Sequence, residues 1–178
     1  MDKAVSISVR TAAARSTRTL DDEGALVARS PLIVFLLLIG APCALAGAWG
    51  FGSFENDDAL DWVADLEQAP GSQLLASTLR RVDAKAKYIE APECSLAIAA
   101  AEVVAAAHGH PAKALPPEVT AWIQRVRPKV GADLLAMARS AVETCRGGKN
   151  SELRDLWQES PDAKAWSDDT ANLLTRLK

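Results

Sequence analysis

Apolar residues recur with helical spacing along most of the chain from residue 59 to residue 177. Ala59, Trp62, Val63 and Leu66 stand at i, i+3, i+4 and i+7, which places them on one face of a helix. Similar stripes follow in residues 75–82, 119–126, 134–145, 153–157 and 163–177. Proline and glycine interrupt the pattern between these segments, as at residues 70–71, 116–117 and 147–148. The pattern predicts six or seven short helices.

Residues 96–107 differ from the other segments because they are apolar on every side except at Glu102. A helix that is apolar all round is typical of the centre of a protein. Pro92 suits its first turn, and Gly109 suits a left-handed position just beyond its end. We therefore predict an all-α fold, a single irregular bundle of about six or seven short helices around this central alanine-rich helix.

The segment from Gly47 to Trp62 alternates glycines with aromatic residues before the first helix begins. Glycine permits positive φ or close backbone approach, and aromatic rings favour burial. We expect the rings to hold an irregular segment against the domain, and core positions for all five tryptophans, Trp49 included. Either Asn56 or Asp57 is expected to cap the first helix.

This segment reads Gly-Ala-Trp-Gly-x-Gly-x-Phe-x-Asn-Asp-x-Ala-x-Asp from Gly47 onward, and it resembles the opening of a bacterial family catalogued only as a domain of unknown function. The similarity continues through residues 90–93, 100–104 and 151–157. The resemblance implies a shared fold over residues 47–178. It implies no established activity.

Residues 27–46 have the layout of a secretory signal peptide. Arg29 precedes the uncharged apolar run 32–39, and Ala44-Leu45-Ala46 follows it, which predicts cleavage between Ala46 and Gly47. The run is shorter than the roughly 20 residues of a membrane span, so an uncleaved anchor is the alternative. Residues 1–26 show no apolar periodicity. This indicates either a disordered extension or a wrongly assigned translation start. We expect export to the periplasm or exterior, with 47–178 as the helical domain.

The 178 residues carry a net charge of −3, which excludes the basic surface typical of nucleic-acid binding. Cys94 and Cys145 are the only cysteines that remain after cleavage, and an exported domain meets an oxidising environment. We therefore predict a disulfide between them, with two buried free thiols as the alternative. The bridge requires the central helix and the helix of Cys145 to run roughly antiparallel.

Glu102 is the most informative charged residue because it interrupts the central helix. We expect it to lie on an exposed strip or to pair with an arginine such as Arg80 or Arg81. The alternative is a partly buried carboxylate with a raised pKa, a candidate acid, base or ligand. The weaker candidates for binding are Asp58, Asp61 and Trp49. The only two histidines, His108 and His110, lie together at a helix end without other metal ligands nearby in sequence, so we expect no metal site and no cofactor.

Three functions remain open from the sequence. The first is an exported protein-interaction or binding module without catalytic activity, whose partner is another protein and whose membrane contact is limited to an uncleaved leader. The second is a hydrolase-like or metal-binding domain that uses Glu102 together with Asp58 or Asp61. The third is a structural component of the cell envelope. Convergence of these carboxylates in one pocket would favour the second function, whereas an arginine partner for Glu102 would favour the first.

Overall fold

The computed structural model describes residues 48–178, and these residues form an α-helical bundle without extended strands. The predicted all-α fold is confirmed for this part of the chain. The signal peptide and the cleavage position between Ala46 and Gly47 lie outside the described residues. None of the helices described here has the length and apolar character needed to cross a bilayer. The helices are α1 (Asp57–Gln68), α2 (Gln73–Arg80), α3 (Ala91–Ala107), α4 (Pro117–Val126), α5 (Ala132–Gly147), α6 (Glu152–Gln158) and α7 (Ala163–Arg176).

Helix α3 forms the centre of the bundle, as its all-round apolar sequence predicts. Ten of its residues between Cys94 and Ala105 are buried, and five of those are alanines, whose small side chains let neighbouring helices approach closely. Helix α5 packs along α3 more extensively than any other helix does, while α1, α2, α6 and α7 cover the remaining sides. Every charged side chain that projects from α3 toward this core therefore needs a partner.

Four tryptophans belong to the core, and two of them direct their indole N–H groups to acceptors. Trp62 Nε1 donates to the buried Thr78 Oγ1 over 2.9 Å, and Trp122 Nε1 donates to the Ala69 carbonyl oxygen over 2.9 Å. Trp157 and Trp166 stack with ring centroids 5.8 Å apart. Burial of an indole without such an acceptor would leave its donor unsatisfied. These contacts join α1 to α2, and α6 to α7.

The core prediction is wrong for Trp49 and Leu156, and the burial expected of the opening rings also fails for Phe51, which is 43% exposed. Trp49 is 58% exposed, because the segment that carries it folds back on itself beside the domain. Leu156 is 37% exposed, although we expected it on the inner face of α6 beside Leu153 and Trp157. Helix α6 has only seven residues, so its inner face accommodates few side chains.

Two local features, a side-chain cap and a left-handed glycine, fix helix ends near the site described below. The Asn56 side chain accepts a hydrogen bond from the Ala59 amide over 2.8 Å at the start of α1, so Asn56 rather than Asp57 is the cap. Gly109 has φ +99° directly after α3, which is the left-handed conformation expected at this position. The chain therefore leaves α3 sharply and brings residues 110–114 alongside the end of the bundle that contains Glu102.

Cys94 and Cys145 form the predicted disulfide, with their Cα atoms 5.4 Å apart. The bridge joins the start of α3 to the end of α5, so these packed helices run antiparallel, as the prediction required. The buried Ser151 hydroxyl lies beside it, donating to the Cys145 carbonyl oxygen over 2.8 Å and accepting from the Arg154 amide. The Ser151 hydroxyl therefore links the end of α5, which carries Cys145, to the first turn of α6.

Candidate functional site

Residues 48–56, which we call the opening loop, form a compact turn that precedes α1. Ala48 and Asn56 pair as an isolated antiparallel bridge. Inside this bridge the Trp49 amide donates to the Glu55 carbonyl oxygen over 3.1 Å, and the Glu55 amide donates to the Gly52 carbonyl oxygen over 2.9 Å. The loop is therefore closed by its own backbone.

The Glu55 side chain lies closely over two glycines of the loop. Its Oε2 accepts from the Gly52 amide over 2.8 Å, and a Cβ at position 50 would collide with that same oxygen. Gly50 and Gly52 thus serve close approach, while the described residues place a glycine in the left-handed region only at Gly109. The sequence pattern indicated close approach or positive φ, but it did not identify Glu55 as the partner.

This arrangement divides the aromatic residues of the loop between the core and the solvent. Phe54 is partly buried and packs against the core. Trp49 and Phe51 are 58% and 43% exposed, respectively. Trp49, which the sequence offered as a candidate binding residue, is therefore available for contact, together with Phe51, which sequence reasoning did not single out.

A cleft of about 630 Å³ lies beside the loop, and we call it the Glu102 cleft. Its walls come from the opening loop, from the segment that follows Gly109, and from α7. The side chains around it include aromatic, acidic and basic groups. The residues lining it are Phe51, Gly52, Ser53, Phe54, Glu55, Glu102, Pro111, Ala112, Lys113, Ala114, Asp169, Asn172 and Arg176.

Glu102 occupies the innermost position of this cleft and forms a bidentate ion pair with Arg176. The two guanidinium nitrogens donate to Oε2 over 2.8 Å and to Oε1 over 2.6 Å, with the Glu102 side chain only 3% exposed. Arg176 also donates to the His110 carbonyl oxygen and to the Asn172 side chain. The guanidinium is held in place by these additional contacts, which a buried pair requires.

The expectation of an arginine partner for Glu102 is met, but the residues that we named for it, Arg80 and Arg81, are wrong. Arg81 instead lies 3.9 Å from Glu93, near the start of α3. Arg176 comes from the last helix, 74 residues further along the chain. The signal that could have pointed to it is a polar stripe on α7, because Asp169, Asn172 and Arg176 recur at i, i+3 and i+7.

Asp58 and Asp61 lie elsewhere. Together with Asp65 and Arg81 they border a groove of about 350 Å³ between α1 and α2, and none of these aspartates lines the Glu102 cleft. The structure therefore does not bring Glu102 together with the helix-1 aspartates. Across residues 48–178, no group of three or more histidine, cysteine, aspartate or glutamate side chains is arranged to hold a metal ion.

Residues 47–169 match a protein family described as a domain of unknown function, DUF4259. The chain belongs to this family. The match begins at Gly47, where the opening motif begins, and it includes the opening loop, Glu102 and Asp169. Searches of curated proteins and of solved structures give no match for the chain.

Asp169 is one of the three carboxylates that this DUF4259 domain places in the cleft, beside Glu55 and Glu102, and its charge is unfavourable there. Partial burial raises the pKa of Asp169, and the negative charges of Glu102 and Glu55 raise it further, whereas Arg176 opposes the shift. Sequence reasoning missed both Asp169 and Glu55, because their proximity to Glu102 depends on how α7 and the opening loop pack against α3.

The raised pKa of Asp169 predicts a stability that falls as the pH rises. The folded protein binds the proton more tightly than the unfolded chain, so this contribution is fully present below the ordinary aspartate pKa of 3.8 and is lost above the raised value. We expect Asp169→Asn to raise the melting temperature of the DUF4259 domain at neutral pH, with the gain shrinking near pH of about 4. An Asp168→Asn control, which changes an exposed neighbour, should leave the pH profile unaltered. Thermal melts of the full chain across this range check it, and identical Asp169→Asn and wild-type profiles would contradict the assignment.

Proposed function

We propose that this domain is a protein-interaction module without catalytic activity, and that the opening loop is its recognition surface. The observation that carries the proposal is the exposure of Trp49 and Phe51 on a loop held by Glu55. Tryptophan is enriched among the residues that dominate protein–protein binding energies. Two large rings presented on one closed loop, separated by a single glycine, suit that role.

The rigidity of the loop supports the proposal. The Ala48–Asn56 bridge and the three hydrogen bonds involving Glu55 fix the backbone on both sides of the rings. A surface ordered before binding loses less conformational entropy when a partner docks. We further propose that the family is bacterial and that its members share the glycine-aromatic motif for recognition.

The contacts of Glu102 favour binding over the alternative of a hydrolase-like or metal-binding domain. Its two oxygens bind Arg176, and Oε1 also accepts from Ser53 Oγ over 3.4 Å. A carboxylate in such a pair is engaged in structure and has little capacity left to move a proton or to bind a metal ion. The helix-1 aspartates that this alternative needs border a different groove.

We also propose that the domain acts outside the cytoplasm, after export and cleavage between Ala46 and Gly47, so that its partner is a periplasmic or extracellular protein. Two observations support this proposal. Residues 27–46 have the layout of a signal peptide, and Cys94 and Cys145 form a disulfide, a bond that persists in oxidising compartments. An uncleaved leader would tether the same domain to the membrane without changing the recognition surface.

Trp49→Ala tests the proposal against a matched aromatic control. Tyr88 is 57% exposed, nearly as much as Trp49, but it lies outside the opening loop. With the full chain expressed in its native organism and recovered by affinity tag, we expect Trp49→Ala to lose a co-purifying protein that wild type and Tyr88→Ala retain. The loss should be about 30-fold, the effect of a strong interface residue. Equal recovery by Trp49→Ala, at an unchanged melting temperature, would contradict the proposal.

A further inference from the structure

We infer that the Glu102 cleft is a docking pocket for an arginine side chain of the partner protein. This inference rests on the proposed function and extends it, because the cleft begins at Phe51 on the recognition surface. A partner that covers Trp49 and Phe51 would therefore also cover the mouth of the cleft. The cleft volume of about 630 Å³ leaves room for a long side chain.

The charges in the cleft are complementary to a cation. Arg176 neutralises Glu102, which leaves the carboxylates of Glu55 and Asp169 facing the same space. Among residues 48–178, the Asp169 carboxylate has no ion-pair partner, and the Glu55 carboxylate accepts only from the Gly52 amide of its own loop. Within the part of the chain that the structure describes, the one further basic residue on the lining is Lys113, which is exposed.

The apolar part of the lining fits the remainder of an arginine side chain. Phe51 presents an exposed ring, and Phe54 and Pro111 add apolar surface beside it. A guanidinium stacks on an aromatic face while its N–H groups bind a carboxylate, and its weak hydration makes this transfer from water less costly than for the ammonium of lysine. A methylene stem can lie along the apolar wall at the same time.

Arg176 shows that this part of the fold already binds a guanidinium through a carboxylate, that of Glu102. Its fork fits both oxygens of Glu102 while its other donors reach His110 and Asn172. An arginine of the partner would bind Asp169 and Glu55 from the open side in an analogous way. The unfavourable ionisation of Asp169 in the free protein accords with this, since a positively charged partner group would relieve the repulsion from Glu102.

The probe for this inference is N-acetyl-arginine amide, titrated into the isotope-labelled full chain and followed by NMR. N-acetyl-citrulline amide is the matched neutral control, because it keeps the shape of arginine and removes its charge. We expect saturable shifts at Phe51 and Asp169 with the arginine amide and none with the citrulline amide. Asp169→Asn should weaken the binding about fivefold, and Asp168→Asn should leave it unchanged. Removing the rim charge with Lys113→Gln should instead strengthen the binding.

Three results would overturn the inference: equal shifts with both amides, binding that Asp169→Asn does not weaken, or shifts confined to the α1–α2 groove that contains Asp58 and Asp61. The natural partner separates this inference from the proposed function. Loss of the partner with Trp49→Ala but full retention with Asp169→Asn would reject the arginine pocket while leaving the recognition surface intact. Retention with both variants would reject both.

Discussion

Replacing Cys94 and Cys145 together by alanine is expected to lower the free energy of unfolding by about 4 kcal/mol. The bridge closes 51 residues of chain, and in the chain-entropy model a loop of that length stabilises by about this amount because it restricts the unfolded state. Both side chains are fully buried, so the lost sulfur contacts add to the effect. Urea unfolding of the full-length variant and wild type measures the difference.

Reduction provides the control for this prediction. Wild-type protein treated with a thiol reductant should lose most of the same stability, because it also lacks the cross-link but keeps the buried sulfur atoms. The oxidation state is checked by alkylating the unreduced protein and mapping labelled peptides by mass spectrometry. Labelled thiols at both Cys94 and Cys145 in protein from the native organism would contradict the bridge, as would a double variant that is as stable as wild type.

The second large effect is expected from Arg176→Met, at about 3–5 kcal/mol of lost stability, because it leaves Glu102 buried and unpaired. Methionine keeps much of the length of the arginine side chain but supplies neither its charge nor its donors. Lys164→Met is the control, because it removes a cation from the exposed pair with Asp168 on the same helix, where little loss is expected. Urea unfolding at neutral pH measures both variants.

A double variant distinguishes the ion pair from a general effect of altering α7. Glu102→Leu combined with Arg176→Met removes both charges together, and buried pairs replaced by apolar residues of similar volume often cost little. We expect the double variant to be more stable than Arg176→Met alone. Additive losses from the two single changes would show that Glu102 and Arg176 do not act as a pair.

The helices were predictable because their apolar periods and their Pro and Gly boundaries are local features. The central position of α3 followed from its apolar sequence, since no other segment of residues 48–178 lacks a polar face. The disulfide followed from cysteine number and the predicted export, and its geometry was then satisfied by the antiparallel packing of α3 and α5. Each of these inferences used residues close together or a simple count.

The candidate site was less predictable because its contacts join distant segments. The sequence indicated that Glu102 needs a partner but could not choose among the arginines, and Arg176 lies at the other end of the domain. Trp49 is exposed on a loop whose Glu55 carboxylate folds over Gly50, and no periodic pattern encodes such a loop. Tryptophan is highly buried on average, but Trp49 is exposed because it lies where the chain reverses within a few residues.

The central claim is that the opening loop is the surface through which this domain contacts another protein. The most direct measurement places a photo-activated benzoyl-phenylalanine at position 49, and in a separate variant at position 88, in the full chain produced by its native organism. Irradiation should join position 49 to one defined partner protein and leave position 88 without that product. A product of the same mass from both positions, or none from position 49, would contradict the claim.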